Sequence, residues 1–255
     1  MKAQQLQWQK KVLEIFHKNF SSPNDYKRQL QTNRKQDNTL VTSIDLEISK
    51  MFEEDCSNNS SFNGKNYFFL SEENFSALSA KQINFPALIL DPIDGTRELA
   101  EGIPECALSC AILNTPELAD KSAWAWIFNP FTGFNLSSEE LFCPPIKHFE
   151  HDFLGLVSRS EWQKGLFDRC KIKERATLSP RGSIAFKLGL LAAGSADFVL
   201  SYQPKKLWDI AAGTFLCTQR GISFYEQGVR VHSLDRLHYS PPLVWCREDL
   251  LYLFD

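Results

Sequence analysis

The chain has 255 residues, a formal net charge of −3 at pH 7, 43% hydrophobic and 23% charged residues. That size suits one large domain or two packed halves, and the composition is that of a soluble globular protein. The absence of a basic excess argues against a polymeric nucleic acid partner, and the apolar stretches are too short for a membrane span.

Seven cysteines are scattered at 56, 106, 110, 143, 170, 217 and 246. Their odd number, the lack of zinc-type pairing and the lack of a secretory leader predict reduced thiols and a cytoplasmic protein. Cys106 and Cys110 fall in an apolar run and are expected to be small core fillers.

Trp8, Val12, Phe16 and Phe20 recur at helical spacing, so residues 4 to 20 predict an amphipathic helix. Residues 21 to 36 are polar and read as a loop, with Lys27, Arg28, Arg34 and Lys35 as a basic cluster of no assigned role. Val41 and Thr42 favour an extended entry into a second helix carrying Ile44, Ile48, Met51 and Phe52. Thr42 is its expected N-cap and Asp45 stands in its first turn. Residues 55 to 66 predict a loop. Tyr67 to Leu70 predict a strand that delivers Glu72 and Glu73 at its end.

Ala87 to Leu90 predict a buried strand that runs into Asp91-Pro92-Ile93-Asp94-Gly95-Thr96. Pro92 forbids a helix there, Gly95 permits a tight turn, and Thr96 opens a helix. Two carboxylates and several backbone N–H groups are thereby aimed at one spot. Carboxylates hold hard cations and N–H groups hold anions, a combination suited to metal-assisted chemistry on a phosphate. Cys106 to Leu113, Ala123 to Phe128 and Phe134 to Leu136 then predict an antiparallel meander.

The polar stretch from Cys143 to Asp152 marks the expected boundary, with His148 and His151 read as loop residues. Beyond it strands and helices alternate, which predicts a parallel or mixed sheet. Phe153 to Val157 form a strand ending in Ser158-Arg159-Ser160, followed by a helix with Trp162, Leu166 and Phe167. Gly182-Ser183 opens a helix, and Asp197 to Leu200 form a strand. Trp208-Asp209 precedes the small-residue run Ile210-Ala211-Ala212-Gly213, where an isolated Asp209 reads as an N-cap. Ile222 to Tyr225, Leu243 to Trp245 and a terminal helix over 247 to 254 complete the chain.

Together these motifs resemble the inositol monophosphatase-like family of magnesium-dependent, lithium-sensitive phosphatases. The resemblance rests on Asp91-Pro92-Ile93-Asp94-Gly95-Thr96, Trp208-Asp209 before the small-residue helix, Glu72-Glu73, and the segment Lys35 to Asp45, in family order. It is closest to the 3′(2′),5′-bisphosphate nucleotidase branch, through Thr96-Arg97-Glu98, Gly102-Ile103-Pro104-Glu105, Ser158-Arg159-Ser160, Gly182-Ser183-Ile184-Ala185 and Pro204-Lys205. Tyr202 stands where the inositol branch has a substrate-binding glutamate. Leu99, Cys106 and the Leu237 to Ser240 segment depart from the nucleotidase pattern.

The resemblance implies a layered αβαβα sandwich of the sugar phosphatase type. Residues 1–142 would form an α+β half with an antiparallel sheet, and residues 143–255 an α/β half. Two or three Mg2+ ions would be held by Glu72, Asp91, the Ile93 carbonyl, Asp94 and Asp209. Asp45, Thr96 and Glu72 would serve the attacking water, and Gly95, Thr96, Arg97, Ser158, Arg159 and Lys187 would contact substrate. Lys205 and Lys206 are as well explained by a solvated surface. The implied reaction removes the 3′-phosphate of adenosine 3′,5′-bisphosphate. The alternatives are an inositol or other sugar-phosphate phosphatase, and a non-catalytic binding protein of the same fold, which the complete acidic set disfavours. The resemblance also allows a homodimer.

Overall fold

The computed structural model describes residues 1–20, 32–34, 40–57, 66–75, 83–140, 153–168 and 170–254. Two long helices open the chain, α1 (Lys2–Asn19) and α2 (Ser43–Ser57), with a short hairpin of β1 (Thr32–Arg34) and β2 (Leu40–Thr42) between them. The loop expected over 21 to 36 is thus interrupted by a strand: Thr32 pairs with Thr42, an antiparallel register that polar side chains tolerate. The rest of that loop, including Lys27, Arg28 and Lys35, lies outside the described residues, as do His148, His151 and the junction expected at 142 and 143.

A five-stranded sheet follows, built from β3 (Phe68–Ser71), β4 (Ala87–Asp94), β5 (Ala107–Leu113), β6 (Trp124–Phe128) and β7 (Asn135–Ser137) in that spatial order. The meander β4 to β7 is antiparallel as expected. The edge pair is not, since β3 runs parallel to β4. That parallel edge matters for function, because it brings the ends of both strands to the same side of the sheet. A single-turn helix, α3 (Thr96–Ala100), leaves the end of β4.

The second sheet has six strands in the order β13-β12-β15-β10-β8-β9. Its members are β8 (Phe153–Ser158), β9 (Ala176–Arg181), β10 (Phe198–Ser201), β12 (Ser223–Glu226), β13 (Val229–Arg230) and β15 (Leu243–Cys246). It is mixed: β8 runs parallel to β9 and β10, and the remaining pairs are antiparallel. A small ladder of β11 (Lys205–Lys206) and β14 (His238–Tyr239) lies apart from it. The helices of this half are α4 (Arg159–Gln163), α5 (Ile184–Ala192) and α6 (Leu207–Thr218), with 3-10 turns at Lys171–Glu174 and Glu248–Phe254. The helix expected through Phe167 therefore stops at Gln163, and Gly165 takes a φ of +70° that a helix cannot use.

Period-two alternation decides which residues face which layer. Leu88 and Leu90 of β4, with Leu108, Cys110 and Ile112 of β5, pack against Trp8, Val12, Phe16, Ile44, Ile48 and Phe52 of α1 and α2. The opposite faces of the same strands, Ala87, Ile89, Ala107 and Ala111, pack against α5 and α6. Val199, Phe224 and Trp245 of the second sheet close that cluster from the far side, and they join residues from both sides of the expected junction. The outer face of the second sheet, with Val157, Phe198 and Leu200, is covered by Phe167, Ile172, Leu250 and Leu253. The layers therefore run helix, sheet, helix, sheet, helix, the expected sandwich. The six cysteines among the described residues are all free thiols, and Cys106 and Cys110 are fully buried core atoms.

Small residues set the spacing of the middle layer. Ala107 and Ala111 on β5 and Ala211, Ala212 and Gly213 on α6 allow a helix to lie close to a sheet and to a second helix. A Cβ on Gly213 would come within 2.4 Å of the Leu188 Cβ on α5. Ser109 of β5 donates to the Trp208 carbonyl at 3.1 Å, which pins the first turn of α6 against the sheet. This close docking carries Asp209 from the C-terminal half to the end of β4.

Candidate active site

Each acidic side chain of the site is set by a local backbone device. Glu72 follows β3, and its N–H donates to the Leu90 carbonyl at 3.1 Å, continuing the parallel ladder. The residue is thereby held beside Asp91. Strand β4 does not end at Leu90, as its apolar run suggests, but continues through Pro92 to Asp94. Pro92 cannot donate to the ladder, and the pairing with β5 slips between Asp91 and Asp94. The Ile93 N–H turns inward to Asp91 Oδ1 at 3.0 Å. The bulge thus points both aspartates out of the strand end.

Asp45 and Asp209 use one device twice. Thr42 caps α2 and Asp45 reaches back to it: the Thr42 N–H donates to Asp45 Oδ2 at 2.8 Å and the Thr42 hydroxyl to the same oxygen at 2.5 Å. At α6 the N-cap is Lys206, whose N–H donates to Asp209 Oδ2 at 2.8 Å. Asp209 is therefore the third helical residue, not the N-cap its isolated position suggests. In both helices one carboxylate oxygen is held by backbone while the residue stays at the site. Asp94 is fixed from the other half, accepting at Oδ2 from the Ser183 hydroxyl at 2.6 Å and the Ala185 N–H at 2.5 Å. Ser183 caps α5 with a φ of +50°, which costs a non-glycine residue about 1–3 kcal/mol. Such a conformation persists only where its surroundings enforce it.

The electrostatics are those of a crowded acid cluster. Burial pushes the Asp91 carboxyl well above the usual carboxylate range, and Glu72, Asp94, Asp209 and Asp45 push it further in the same direction. Burial raises Asp45 to about 7 against the opposing Thr42 hydrogen bonds. Burial and Asp94 raise Asp209 to about 7, with Lys205 pulling the other way. Among the described residues no three Asp, Glu, His or Cys side chains converge as a ready-made ion cage. Like-charged carboxylates instead turn to the backbone and hydroxyl donors beside them. The donor set is nonetheless all oxygen, with neither thiolate nor imidazole in it. That chemistry fits a hard cation which keeps waters and accepts phosphate oxygens, and so needs only a few carboxylates.

Thr96 stands next to this cluster at the start of α3. Its hydroxyl lies 2.9 Å from the Ile93 carbonyl and 3.3 Å from Asp45 Oδ1. One proton serves both contacts, and the shorter one is to Ile93.

Beside the acids opens a polar cavity of about 160 Å³, whose wall includes Asp94, Gly95, Ser158, Ser160, Ser183, Lys187, Ser201, Lys205 and Asp209. The expected residues are thus partly gathered. Asp94, Gly95, Ser158, Lys187 and Asp209 line the cavity; Asp45, Thr96, Ile93, Asp91 and Glu72 are not among its wall residues, and Asp91 and Glu72 are tied electrostatically to Asp94 and Asp209. Two expected contacts turn elsewhere. Arg97 is exposed and pairs with Glu101 at 3.0 Å, one helical turn on. Arg159 donates to Glu105. Lys187 does line the cavity, but its ammonium donates to the carbonyls of Arg181, Gly182 and Ser183 at 3.3, 3.3 and 2.8 Å. Its three protons are committed, so it offers charge and no hydrogen bond. Burial lowers its pKa to about 8, which leaves it charged at neutral pH. Ser160, Ser183, Ser201 and Lys205 are wall residues outside the expected substrate contacts; the motifs Ser158-Arg159-Ser160, Gly182-Ser183 and Pro204-Lys205 signalled three of them, and nothing signalled Ser201.

A model of the inositol monophosphatase family matches residues 1–142. The chain belongs to the inositol monophosphatase family. Its relatives include inositol monophosphatase 2 of Saccharomyces cerevisiae, 27% identical over 207 residues that span 71% of this chain and 68% of that protein. Among solved structures, an IMPase of Thermotoga maritima superposes with a TM-score of 0.71 at 18% identity, covering 98% of this chain and 94% of its own. An IMPase/NADP phosphatase complexed with Mg2+ and phosphate gives 0.69 at 16% identity, covering 97% and 92%. At those identities the structures establish a shared fold. As an inositol monophosphatase family member the chain is a phosphoric monoester hydrolase.

Proposed function

We propose that this protein is a Mg2+-dependent phosphomonoesterase acting on a small bisphosphate, with a nucleoside 3′,5′-bisphosphate as the leading substrate. The observation that carries the metal dependence is the cluster of Glu72, Asp91, Asp94 and Asp209, four carboxylates in which burial first, and repulsion by the neighbouring acids second, raises Asp91 and Asp209. A divalent ion is the natural compensation for such a group. Those four side chains with the Ile93 carbonyl would hold it. Bound there, Mg2+ supplies a more acidic water and neutralises charge developing on the phosphate. The solved IMPase/NADP phosphatase complexed with Mg2+ and phosphate, which shares this fold, supports the reading.

The chain's own residues divide the remaining work. The Thr96 hydroxyl proton is shared between the Ile93 carbonyl at 2.9 Å and Asp45 Oδ1 at 3.3 Å, so the Thr96 oxygen is left to accept from, and orient, an attacking water. No serine or cysteine nucleophile is required, which separates the reaction from covalent phosphatases. The Gly95 and Thr96 N–H groups stand at the strand end where phosphate oxygens would sit. Helix α3 is only one turn long, so the donors themselves, and not a long helix dipole, serve there.

The opposite wall argues for the substrate. Lys205 lines it with the hydroxyls of Ser158, Ser160 and Ser201, while the buried Lys187 ammonium adds positive charge. That surface suits a second phosphate. Tyr202 supplies no carboxylate to inositol hydroxyls; its hydroxyl lies 3.2 Å from the Cys170 thiol. The hydroxyl-rich wall and the yeast relative's name favour the second reading, inositol 1-phosphate. Phosphate release from adenosine 3′,5′-bisphosphate, inositol 1-phosphate and a sugar monophosphate, compared by kcat/KM with saturating Mg2+, decides between them. The bisphosphate is expected to lead by at least about tenfold, ~1.4 kcal/mol in transition-state binding. Preference for inositol 1-phosphate sinks the leading reading.

A further inference from the structure

We propose that Glu105 is a positioning residue that holds Asp94 in its working orientation through the Gly182–Ser183 turn; this rests on the metal-dependent reading above. Glu105 lies in the segment after α3 and is mostly buried, with 15% of its side chain exposed. It makes no contact with the acid cluster. Its carboxylate crosses to the C-terminal half, where Oε2 accepts the Gly182 N–H at 2.7 Å and is capped by Arg159. Arg181 lies 3.6 Å from Oε1. One residue thus engages two consecutive residues of the turn between β9 and α5, Arg181 and Gly182, and the start of α4 through Arg159.

The backbone of Glu105 is equally close. A Cβ on Gly182 would fall 2.8 Å from the Glu105 carbonyl oxygen, and one on Gly95 would fall 3.0 Å from the same atom. Both neighbours are glycines that admit this approach. Gly95 directly follows Asp94, and Gly182 directly precedes Ser183. Glu105 is therefore the joint between the strand end that carries Asp94 and the turn that orients it.

The turn needs such a clamp. Ser183 holds a left-handed φ of +50°, and in that conformation its hydroxyl donates to Asp94 while accepting from the Phe186 N–H at 2.9 Å. The Ala185 N–H meets the same Asp94 oxygen. If the Gly182 N–H loses its acceptor, the turn keeps only the Lys187 ammonium on its carbonyls and the Ser183 cap of α5, and the strained Ser183 is held less firmly. The Ser183 hydroxyl and the Ala185 N–H are then aimed less firmly at Asp94, and the carboxylate loses part of its orientation. Partners of this kind, one bond removed from an ion, typically change metal affinity by about 10–100-fold when deleted.

The test reads metal binding directly, by electron paramagnetic resonance of free Mn2+ titrated with metal-free protein. Glu105→Ala is expected to weaken Mn2+ binding about tenfold or more. Glu105→Gln keeps an acceptor for the Gly182 N–H while removing the ion pairs to Arg159 and Arg181, and is expected to bind within about threefold of wild type. Ser183→Ala weakens binding too, and the double variant Glu105→Ala/Ser183→Ala should be no weaker than the worse single one, because both act through one turn. Wild-type Mn2+ affinity in Glu105→Ala overturns the proposal while leaving the metal-dependent reading intact. So does additivity in the double variant, or a Glu105→Gln defect as large as that of alanine. A wild-type protein that binds no Mn2+ overturns both.

Discussion

Asp94→Asn is expected to lower kcat by about a thousandfold or more while the protein stays folded, a loss of ~4 kcal/mol in transition-state stabilisation. The substitution is nearly isosteric. The asparagine carbonyl oxygen can accept from the Ser183 hydroxyl and the Ala185 N–H as Asp94 Oδ2 does. What changes is the other atom: a carboxylate oxygen facing the cavity becomes an NH2 group, which repels a cation and cannot ligate it. Circular dichroism and thermal unfolding should match wild type. Phosphate release at saturating Mg2+ should not. Activity within about tenfold of wild type, ~1.4 kcal/mol, means that Asp94 holds no ion.

The second large effect is a pH-dependent dependence of stability on Mg2+. Asp45 and Asp209 are raised to about 7 by burial, and Asp91 is raised well above its ordinary value for the same reason and by its acidic neighbours. Unfolded, these groups titrate near about 3.9. Between those limits the folded protein binds more protons than the unfolded chain, so stability falls as pH rises from about 4 to about 7. Lys187 has the opposite sign: its pKa is lowered to about 8, so it adds stability only as pH rises above that value. Mg2+ binds the deprotonated carboxylates and must displace their protons. In a chelator the melting temperature should drop between about pH 5.5 and pH 7.5. At about pH 7.5, Mg2+ at about 100 times its Kd contributes ~2.7 kcal/mol, or about 5–10 °C for a chain of this size, and at about pH 5.5 the gain should be much smaller. Differential scanning calorimetry checks both. An equal Mg2+ effect at the two pH values contradicts the carboxylate assignment.

The acids were legible because they sit where elements end. Glu72 and Asp91 follow apolar runs whose strand character is plain, whereas Asp45 and Asp209 read locally as helix-start residues and joined the set only through the family resemblance. Apolar patterning made the antiparallel meander and the alternating second half legible, while the layered stacking came only from the family resemblance. What was not read were the partners that claim each cation. Arg97 and Arg159 carry the right charge for a phosphate, yet each has an acid within reach, Glu101 one turn away and Glu105 from the other half. Lys187 looks like a free cation until its turn is folded and three carbonyls converge on it. Strand β9 was hidden because Ser179 and Pro180 break its apolar pattern, and it is admitted because it lies at a sheet edge. The Asp91–Asp94 bulge was hidden for the same reason: Pro92 signals a turn locally, while pairing with β5 keeps it in the sheet.

The most direct test of the central claim is the Mg2+ dependence of phosphate release from adenosine 3′,5′-bisphosphate by the wild-type protein. Chelation is expected to lower the rate by at least about a thousandfold, ~4 kcal/mol, with full recovery when Mg2+ is restored. A chelated protein that keeps its rate within about tenfold would show that the acid cluster works without a metal ion.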